Sequence, residues 1–182
     1  VSSQIMKHFV TEKEMPGFIV RTRMSVAHYK ALGTPNASFG YLPPEEYENY
    51  GTGDVWYEEE NFMIENDPEK KKIIVPTVFL VGSRTGAAAE NLLLILKKYR
   101  KDVYLVGGDT GGTRGYPMTM GLPGGGNFTL STTADFYADD TPISSKGIKP
   151  DIEVKLKYAD YIAGKDTVLE DGYNFLRKKL SK

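Results

Sequence analysis

The feature that most restricts the fold is a strand, a turn and a helix in immediate succession. Residues 73–81 are almost all apolar and rich in β-branched side chains, as is typical of a strand buried on both faces of a parallel sheet. After a short glycine-bearing turn, residues 87–100 favour a helix, and the apolar run at 92–96 predicts that this helix is buried. Residues 103–107 predict the next strand, so the segment forms a βαβ unit with a right-handed crossover.

Smaller elements precede this unit. Apolar spacing predicts a short helix over residues 3–10, and the segment 18–24 predicts a strand. Residues 55–57 and 62–64 predict two short strand pieces on either side of an acidic run. Gly, Pro, Asn, Glu and Tyr dominate residues 33–53, which predicts a long surface loop.

Three further elements follow the βαβ unit. Residues 118–122 and 127–137 predict a β-hairpin around a Pro-Gly-Gly-Gly turn, and residues 151–156 alternate like a strand. The last helix is predicted to open with a capping box of Thr167 and Glu170. Its apolar face is predicted to be Leu169, Tyr173, Leu176 and Leu180. The fold class is therefore α/β, with a βαβ unit, a hairpin and a C-terminal helix.

Composition excludes several classes of partner. The 182 residues include 23 basic and 24 acidic side chains, so the net charge of -1 offers no attraction to nucleic acid or an anionic membrane. The longest apolar run is far shorter than the roughly 20 residues that span a bilayer. The absence of cysteine excludes disulfides and thiolate chemistry, but it leaves the compartment open.

Two other motifs carry little functional signal. The glycine-rich residues 107–115 follow a strand, but no helix follows them and no Lys precedes a Ser or Thr, so a nucleotide site is not indicated. His8 and His28 are distant from each other and from acidic residues at ligand spacing. A metal site is therefore not predicted.

The turn at Ala87 allows two interpretations. Alanines begin helices without strain, so Ala87, Ala88 and Ala89 could simply open a helix. With Ser at 87, the same segment would be a capping box with Glu90 and would also present a hydroxyl beside free backbone N–H groups. A single oxygen atom separates a plain helix start from a nucleophile.

Five segments in a fixed order give the sequence a resemblance to the tail-specific, or C-terminal processing, serine peptidases and their tricorn-core relatives. These segments end a strand, form the turn, close the next strand, make the hairpin and begin the last strand. They are 75–81 (VPTVFLV), 85–90 (TGAAAE), 106–112 (VGGDTGG), 122–126 (LPGGG) and 146–154 (KGIKPDIEV).

The resemblance implies a ClpP/crotonase-like core and a site around the turn. In that family the nucleophilic Ser lies three residues before the Glu, which is the position of Ala87 here. The amide of Ala88 would be one oxyanion-hole donor. Substrate-binding positions implied in the same way are Gly86, Thr110, Gly111 and Gly112. No metal and no organic cofactor is implied.

The resemblance also implies that this chain does not supply the catalytic base. Many members use a Lys as the base, but Arg114 occupies the corresponding stretch and its guanidinium stays protonated, so a Ser–Lys dyad is not expected. We expect residues 1–182 to be the C-terminal part of the peptidase core, with an upstream half that contains a His as the partner. The expected substrate is a polypeptide, the expected location is the cell envelope, periplasmic or secreted, and a homo-oligomer is left open.

Three functions follow as alternatives. The first is a serine peptidase that works through an acyl-enzyme and is inactive here because Ala87 is an engineered replacement of Ser. The second is a natural relative that binds polypeptide without cleaving it. The third is an acyl-CoA enzyme of the crotonase type, which would need paired oxyanion amides and a nucleotide pocket.

Overall fold

The computed structural model divides the chain into two compact units. It describes residues 2–23, 25, 56–58, 63–67, 69–115, 117–143 and 146–181. The first unit consists of Val1–Met15, Ile64–Gly112 and Ser144–Lys182, and the second of Pro16–Met63 and Thr113–Ile143. The predicted loop over residues 33–53 lies outside the described residues.

The described residues form four helices and ten strands. In chain order they are α1 (Ser2–Met6), β1 (Glu14–Pro16), β2 (Ile19–Arg23), β3 (Trp56–Glu58), β4 (Met63–Glu65), β5 (Thr77–Val81), α2 (Ala88–Tyr99), β6 (Val103–Gly107), β7 (Pro117–Gly121), β8 (Asn127–Ser131), β9 (Thr133–Phe136), β10 (Ile152–Glu153), α3 (Tyr158–Ile162) and α4 (Thr167–Leu180).

A three-stranded parallel sheet of order β10-β6-β5 forms the centre of the first unit. β5 and β6 pair in register from Thr77 with Val103 to Val81 with Gly107, and α2 connects them. The predicted βαβ unit is therefore confirmed, although β5 begins later than the predicted start at residue 73. Its core contains Val81, Leu93 and Leu105, with Phe79 and Ile148 packed against them.

The helix α2 is buried, as its sequence predicts. Its leucines and isoleucine at positions 92, 93, 95 and 96 are all buried, and the carboxylate residue Glu90 in its first turn is buried with them. Besides Ala88 and Ala89 at its start, the exposed residues of this helix are Lys97 and Lys98 in the last turn.

The second unit contains two antiparallel sheets. One has the order β3-β2-β9, and the other is the hairpin of β7 and β8. The hairpin confirms the prediction, with Pro117 paired with Ser131 and Gly121 with Asn127. The predicted second strand of the hairpin is too long, however, because residues 133–136 leave β7 and pair with β2 instead.

The C-terminal helix begins one residue earlier than the capping-box prediction. Asp166 is the N-cap, and its carboxylate accepts a hydrogen bond from the Leu169 amide at 3.0 Å. Glu170 forms an ion pair with Lys165 at 3.1 Å and does not close a capping box. The predicted pair of Thr167 and Glu170 is therefore wrong, because Asp is the better cap and already occupies the preceding position.

The predicted packing face of α4 is also wrong. Gly172 is the buried residue of the helix, and a side chain there would place its Cβ 2.7 Å from Cδ2 of Leu80 in β5. One helical turn away, Phe175 meets Tyr104 of β6 edge-on at 4.9 Å between ring centroids. The face toward the sheet is thus a small residue and an aromatic ring, and most of the predicted leucine and tyrosine stripe faces away from it.

Arg100 joins three separate segments of the first unit. Its guanidinium donates to the carbonyl oxygens of Phe9 at 3.3 Å, Ile73 at 2.8 Å and Val75 at 2.6 Å. It also makes a two-point contact with the carboxylate of Asp102, at 2.9 and 2.6 Å. These hydrogen bonds lower the pKa of Asp102 below its usual value, against the opposing effect of burial. Only a planar, always-charged guanidinium can satisfy this set of acceptors.

We predict that Asp102→Asn lowers the free energy of unfolding by about 1 kcal/mol at neutral pH, a modest effect because the carboxylate is partly exposed. A carboxylate whose pKa is lowered in the folded state stabilises the protein above its unfolded pKa, and this contribution is lost as the pH falls through the folded pKa. The difference between wild type and variant in urea unfolding should therefore shrink below about pH 4. The exposed Asp109 provides the control, and Asp109→Asn should change the free energy of unfolding at neutral pH by less than about 0.5 kcal/mol.

Candidate active site

The turn between β5 and α2 is held by hydrogen bonds around Thr85. Its amide donates to the carbonyl of Gly82 at 2.8 Å, and its hydroxyl accepts from the Gly82 amide at 3.2 Å. The Thr85 carbonyl accepts from the amide of Gly111 at 2.7 Å. The turn is therefore attached to the loop that follows β6.

Ala87 adopts a backbone conformation that alanine rarely adopts. Its φ is 50° and its ψ is -118°, and it immediately precedes the first helical residue, Ala88. A side chain with positive φ outside the helical regions costs on the order of 1–3 kcal/mol and persists only where the surrounding structure imposes it. The interpretation of Ala87 as an unstrained helix start is therefore wrong.

The Cβ of Ala87 and the amide of Ala88 lie together at the N-terminus of α2. Ala87 and Ala88 are both exposed. The Ala89 amide donates to the Gly86 carbonyl at 3.1 Å, but the Ala88 amide has no acceptor within the part of the chain that the structure describes. A free N–H at the positive end of a helix dipole can stabilise a negatively charged oxygen.

The loop of Thr110, Gly111 and Gly112 lies beside this turn, and its donors are already used. The Thr110 amide donates to the carbonyl of Ile148 at 3.1 Å, and the Gly111 amide donates to Thr85. A Cβ on Gly111 would lie 2.8 Å from the carbonyl oxygen of Ser83, so only glycine allows this approach. The loop is rigidly attached, and its direct contact with a polypeptide stays a prediction.

The side chain of Glu90 forms hydrogen bonds with this loop. Its Oε1 accepts from the hydroxyl of Thr110 and, at 2.9 Å, from the amide of Gly112. The Thr110 hydroxyl in turn accepts from the Ile148 amide at 2.7 Å. Glu90 therefore does not act in a capping box, because its side chain points to the loop. Sequence reasoning missed this network, although a Glu at the start of a buried helix could have indicated it.

Arg114, which occupies the place of the family's lysine, is buried in the second unit. Its guanidinium lies 2.9 Å from the Asp135 carboxylate and 5.0 Å from the centroid of the Phe18 ring. Its nitrogens nevertheless have no partner with hydrogen-bond geometry in the described part of the chain, so the contact is an ion pair with poor directionality. A guanidinium in this setting is a fixed cation and not a base.

The described residues offer no other constellation of reactive groups. Nδ1 of His8 lies 2.8 Å from the carbonyl oxygen of Lys71, and His28 lies outside the described residues. No group of three or more His, Cys, Asp or Glu residues in the described ranges could hold a metal ion. None of the helices described is both long and apolar enough to cross a membrane.

Comparison with known proteins assigns the family. The family model for Peptidase family S41 matches residues 3–154, which include the turn, α2 and the loop after β6. The chain belongs to peptidase family S41. A search among curated protein sequences gives no match. The activity of this family is that of a serine peptidase, and the βαβ unit lies within the residues that its model matches.

Solved structures of the S41 family and its relatives share the fold. A candidate peptidase from Parabacteroides merdae is 19% identical with a TM-score of 0.62, and the match covers 96% of this chain and 46% of that protein. A candidate S41 protease from Bacteroides fragilis is 16% identical with a TM-score of 0.56, and the match covers 97% of this chain and 41% of that protein. A serine-to-alanine mutant of CPAF is 14% identical with a TM-score of 0.52, and the match covers 97% of this chain and 38% of that protein. The chain thus spans less than half the length of these three structures.

We predict that Ala87→Gly stabilises the protein by about 1 kcal/mol, because glycine adopts positive φ without the steric cost that alanine bears. Urea unfolding measures the change. Ala89→Gly is the matched control, since residue 89 is helical and the same substitution there should destabilise by about 0.5–1 kcal/mol. Equal losses of stability for the two substitutions would contradict the positive φ of Ala87.

We predict that Thr110→Val destabilises the protein by about 2–3 kcal/mol, because it leaves the Glu90 carboxylate short of a donor and the Ile148 amide without an acceptor. Thr110→Ser keeps the hydroxyl and should lose much less. Thermal unfolding of both variants checks the prediction, and equal loss would show that the methyl group, not the hydroxyl, matters.

Proposed function

We propose that this chain is the C-terminal part of a serine peptidase core and that residue 87 is the position of its nucleophile. One observation carries the proposal: Ala87 holds a strained backbone at a strand-to-helix junction, beside the free amide of Ala88. Strain of this kind concentrates at functional sites, and a plain helix start has no need of it. The ClpP/crotonase-like character of the core stays a prediction.

The proposed chemistry uses a serine at 87. Its hydroxyl oxygen attacks the carbonyl carbon of a peptide bond while a base takes the hydroxyl proton, and the Ala88 amide donates to the oxygen that becomes negative. The C–N bond then breaks as the base protonates the leaving amine, which gives an acyl-enzyme that water hydrolyses. We place the base in an upstream half of the core, because the guanidinium of Arg114 cannot accept a proton.

In this proposal the chain with Ala87 is inert as a peptidase, because the alanine side chain has no oxygen that could attack a peptide bond. An engineered replacement of Ser is the interpretation we favour, since the strained turn and the free amide are both kept. Among the structures that share this fold, one of CPAF also carries a serine-to-alanine substitution. A natural relative that binds polypeptide without cleaving it is the alternative.

The proposal extends to substrate and location. The polypeptide substrate follows from the family's activity, and no cofactor enters the proposed reaction. We also propose a location in the cell envelope, periplasmic or secreted, which rests on the family alone. Fractionation of cells that produce the full-length protein checks this location.

The decisive experiment restores the hydroxyl. We predict that Ala87→Ser in the full-length protein raises the cleavage of an unstructured protein such as casein by about 10⁴-fold or more, because removing a nucleophile costs several orders of magnitude. The variant should also be labelled covalently at residue 87 by a fluorophosphonate probe.

Ala89→Ser is the matched control, because it adds the same hydroxyl to the same exposed helical turn two residues away and should neither cleave nor be labelled. If Ala87→Ser gains no activity while the protein binds casein in a pull-down experiment, the non-catalytic alternative is correct. Labelling of both serines alike would show that residue 87 is not a special position.

A further inference from the structure

The turn between β5 and α2 carries one long charged side chain close to the proposed nucleophile position. Among the exposed residues of the segment 82–89, Arg84 is the charged one, and the others are Ser83 and three alanines. We propose that the guanidinium of Arg84 selects polypeptides that have an acidic side chain near the reacting bond. The proposal rests on the proposed function, which places that bond at residue 87.

Arg84 lies at the tip of a tight turn whose two ends are joined. The amide of Thr85 donates to the carbonyl of Gly82 at 2.8 Å, which is the hydrogen bond that closes a four-residue β-turn. The Thr85 hydroxyl accepts from the Gly82 amide at 3.2 Å and joins the same ends a second time. Ser83 and Arg84 are the central residues of this turn, and both are exposed. The Arg84 side chain therefore extends into solvent from a fixed backbone.

The loop after β6 fixes the position of this turn relative to α2. The amide of Gly111 donates to the Thr85 carbonyl at 2.7 Å, and a Cβ on Gly111 would lie 2.8 Å from the carbonyl oxygen of Ser83. The same loop accepts no freedom at its other end, because its Gly112 amide donates to Glu90 of α2 at 2.9 Å. The turn and the start of α2 are thus held in one arrangement by the loop that contacts both.

The guanidinium of Arg84 has no partner in the part of the chain that the structure describes. No ion pair or hydrogen bond joins it to a described residue, and this includes the exposed Asp109 on the neighbouring loop. Arg21, Arg100 and Arg114, by contrast, each lie within 2.9 Å of a carboxylate oxygen. The planar guanidinium of Arg84 is therefore available to bind a carboxylate of a ligand through two parallel hydrogen bonds.

The separation of Arg84 from residue 87 suits contact with a nearby substrate side chain. Three residues of fully extended chain span at most about 11 Å, so the Cα atoms of these two residues are no farther apart than this. An extended polypeptide advances about 3.3 Å per residue. The guanidinium therefore reaches side chains within about three residues of the substrate carbonyl that the Ala88 amide would bind.

The charges around the turn favour an anionic side chain at this distance. The N-terminus of α2 carries a partial positive charge, and the Arg84 guanidinium adds a full one. The carboxylate in the first turn of α2, that of Glu90, is 1% exposed and binds the loop after β6. A bound polypeptide displaces water from the guanidinium, which strengthens its pairing with a carboxylate beyond that of an exposed surface pair. We expect a preference of about tenfold for Glu over Gln in the substrate.

Binding of two matched peptides to the full-length protein with Ala87 tests the proposal without catalysis. The peptides have about 18 residues and differ only in that one has Glu, and the other Gln, at every third position. This spacing brings a test side chain near residue 87 in every register of binding. We expect fluorescence anisotropy to give a Kd about tenfold lower for the Glu peptide, and this ratio to fall toward one in about 1 M salt.

Three variants assign the preference to Arg84. Arg84→Glu should abolish it and favour a third peptide with Lys at the same positions, because the charge is reversed. Arg84→Lys keeps the charge and should keep most of the preference. Lys101→Glu is the matched control: it reverses an exposed charge just before β6, at the opposite edge of the sheet from the turn after β5. It should leave the ratio of the two Kd values within about twofold.

Cleavage by the full-length Ala87→Ser protein separates this proposal from the proposed function. A kcat/KM about tenfold higher for the Glu peptide than for the Gln peptide would support both. Equal cleavage of the two peptides would overturn the role of Arg84 and leave the peptidase proposal intact. Absence of cleavage, with the tenfold binding preference kept, would overturn the peptidase proposal and leave the role of Arg84 intact.

Three binding results would overturn the proposal. They are equal affinity for the Glu and Gln peptides, binding of none of the three peptides, and equal changes of the preference in Arg84→Glu and Lys101→Glu. The last result would assign the preference to the net charge of the protein and not to the turn. Circular dichroism of each variant confirms that the fold is kept.

Discussion

The arrangement of the candidate site depends on one buried carboxylate. Glu90, in the first turn of α2, is 1% exposed and binds the Thr110 hydroxyl and the Gly112 amide. Its Oε2 has no hydrogen-bond partner among the described residues. Burying a polar oxygen is costly unless it is hydrogen-bonded, and both donors to Oε1 of Glu90 come from the loop after β6, so this loop has to remain in place. Together with the bond from Gly111 to Thr85, this contact fixes the turn from two sides and can sustain the unfavourable conformation of Ala87.

Local pattern was sufficient to predict the βαβ unit and the hairpin. The β-branched run before the turn, the apolar helix and the following strand leave only one arrangement in which all three bury their apolar side chains. The turn residues at 123–126 likewise specify a hairpin. The proposed position of the nucleophile came from the order of five segments, because an alanine by itself gives no chemical signal.

Contacts between distant residues were not predictable from local pattern. Whether Glu90 turns back to cap its own helix or forward to Thr110 depends on a loop twenty residues later, which periodicity does not describe. The face of α4 was misassigned for a related reason. A stripe of leucines normally marks the buried side, but here the close approach of Gly172 to β5 selects the neighbouring side. The sequence offers two faces of α4 that could pack on the sheet, and only the tertiary contacts show which of them does.

The guanidinium of Arg100 also protects the sheet against unwanted association. Residues 73–76 lead into β5, and the carbonyl oxygens of Ile73 and Val75 accept hydrogen bonds from the Arg100 side chain. Unpaired carbonyls along such a segment form a template on which strands from other molecules can add. The Arg100 side chain therefore makes these two carbonyl oxygens unavailable to a strand from another molecule.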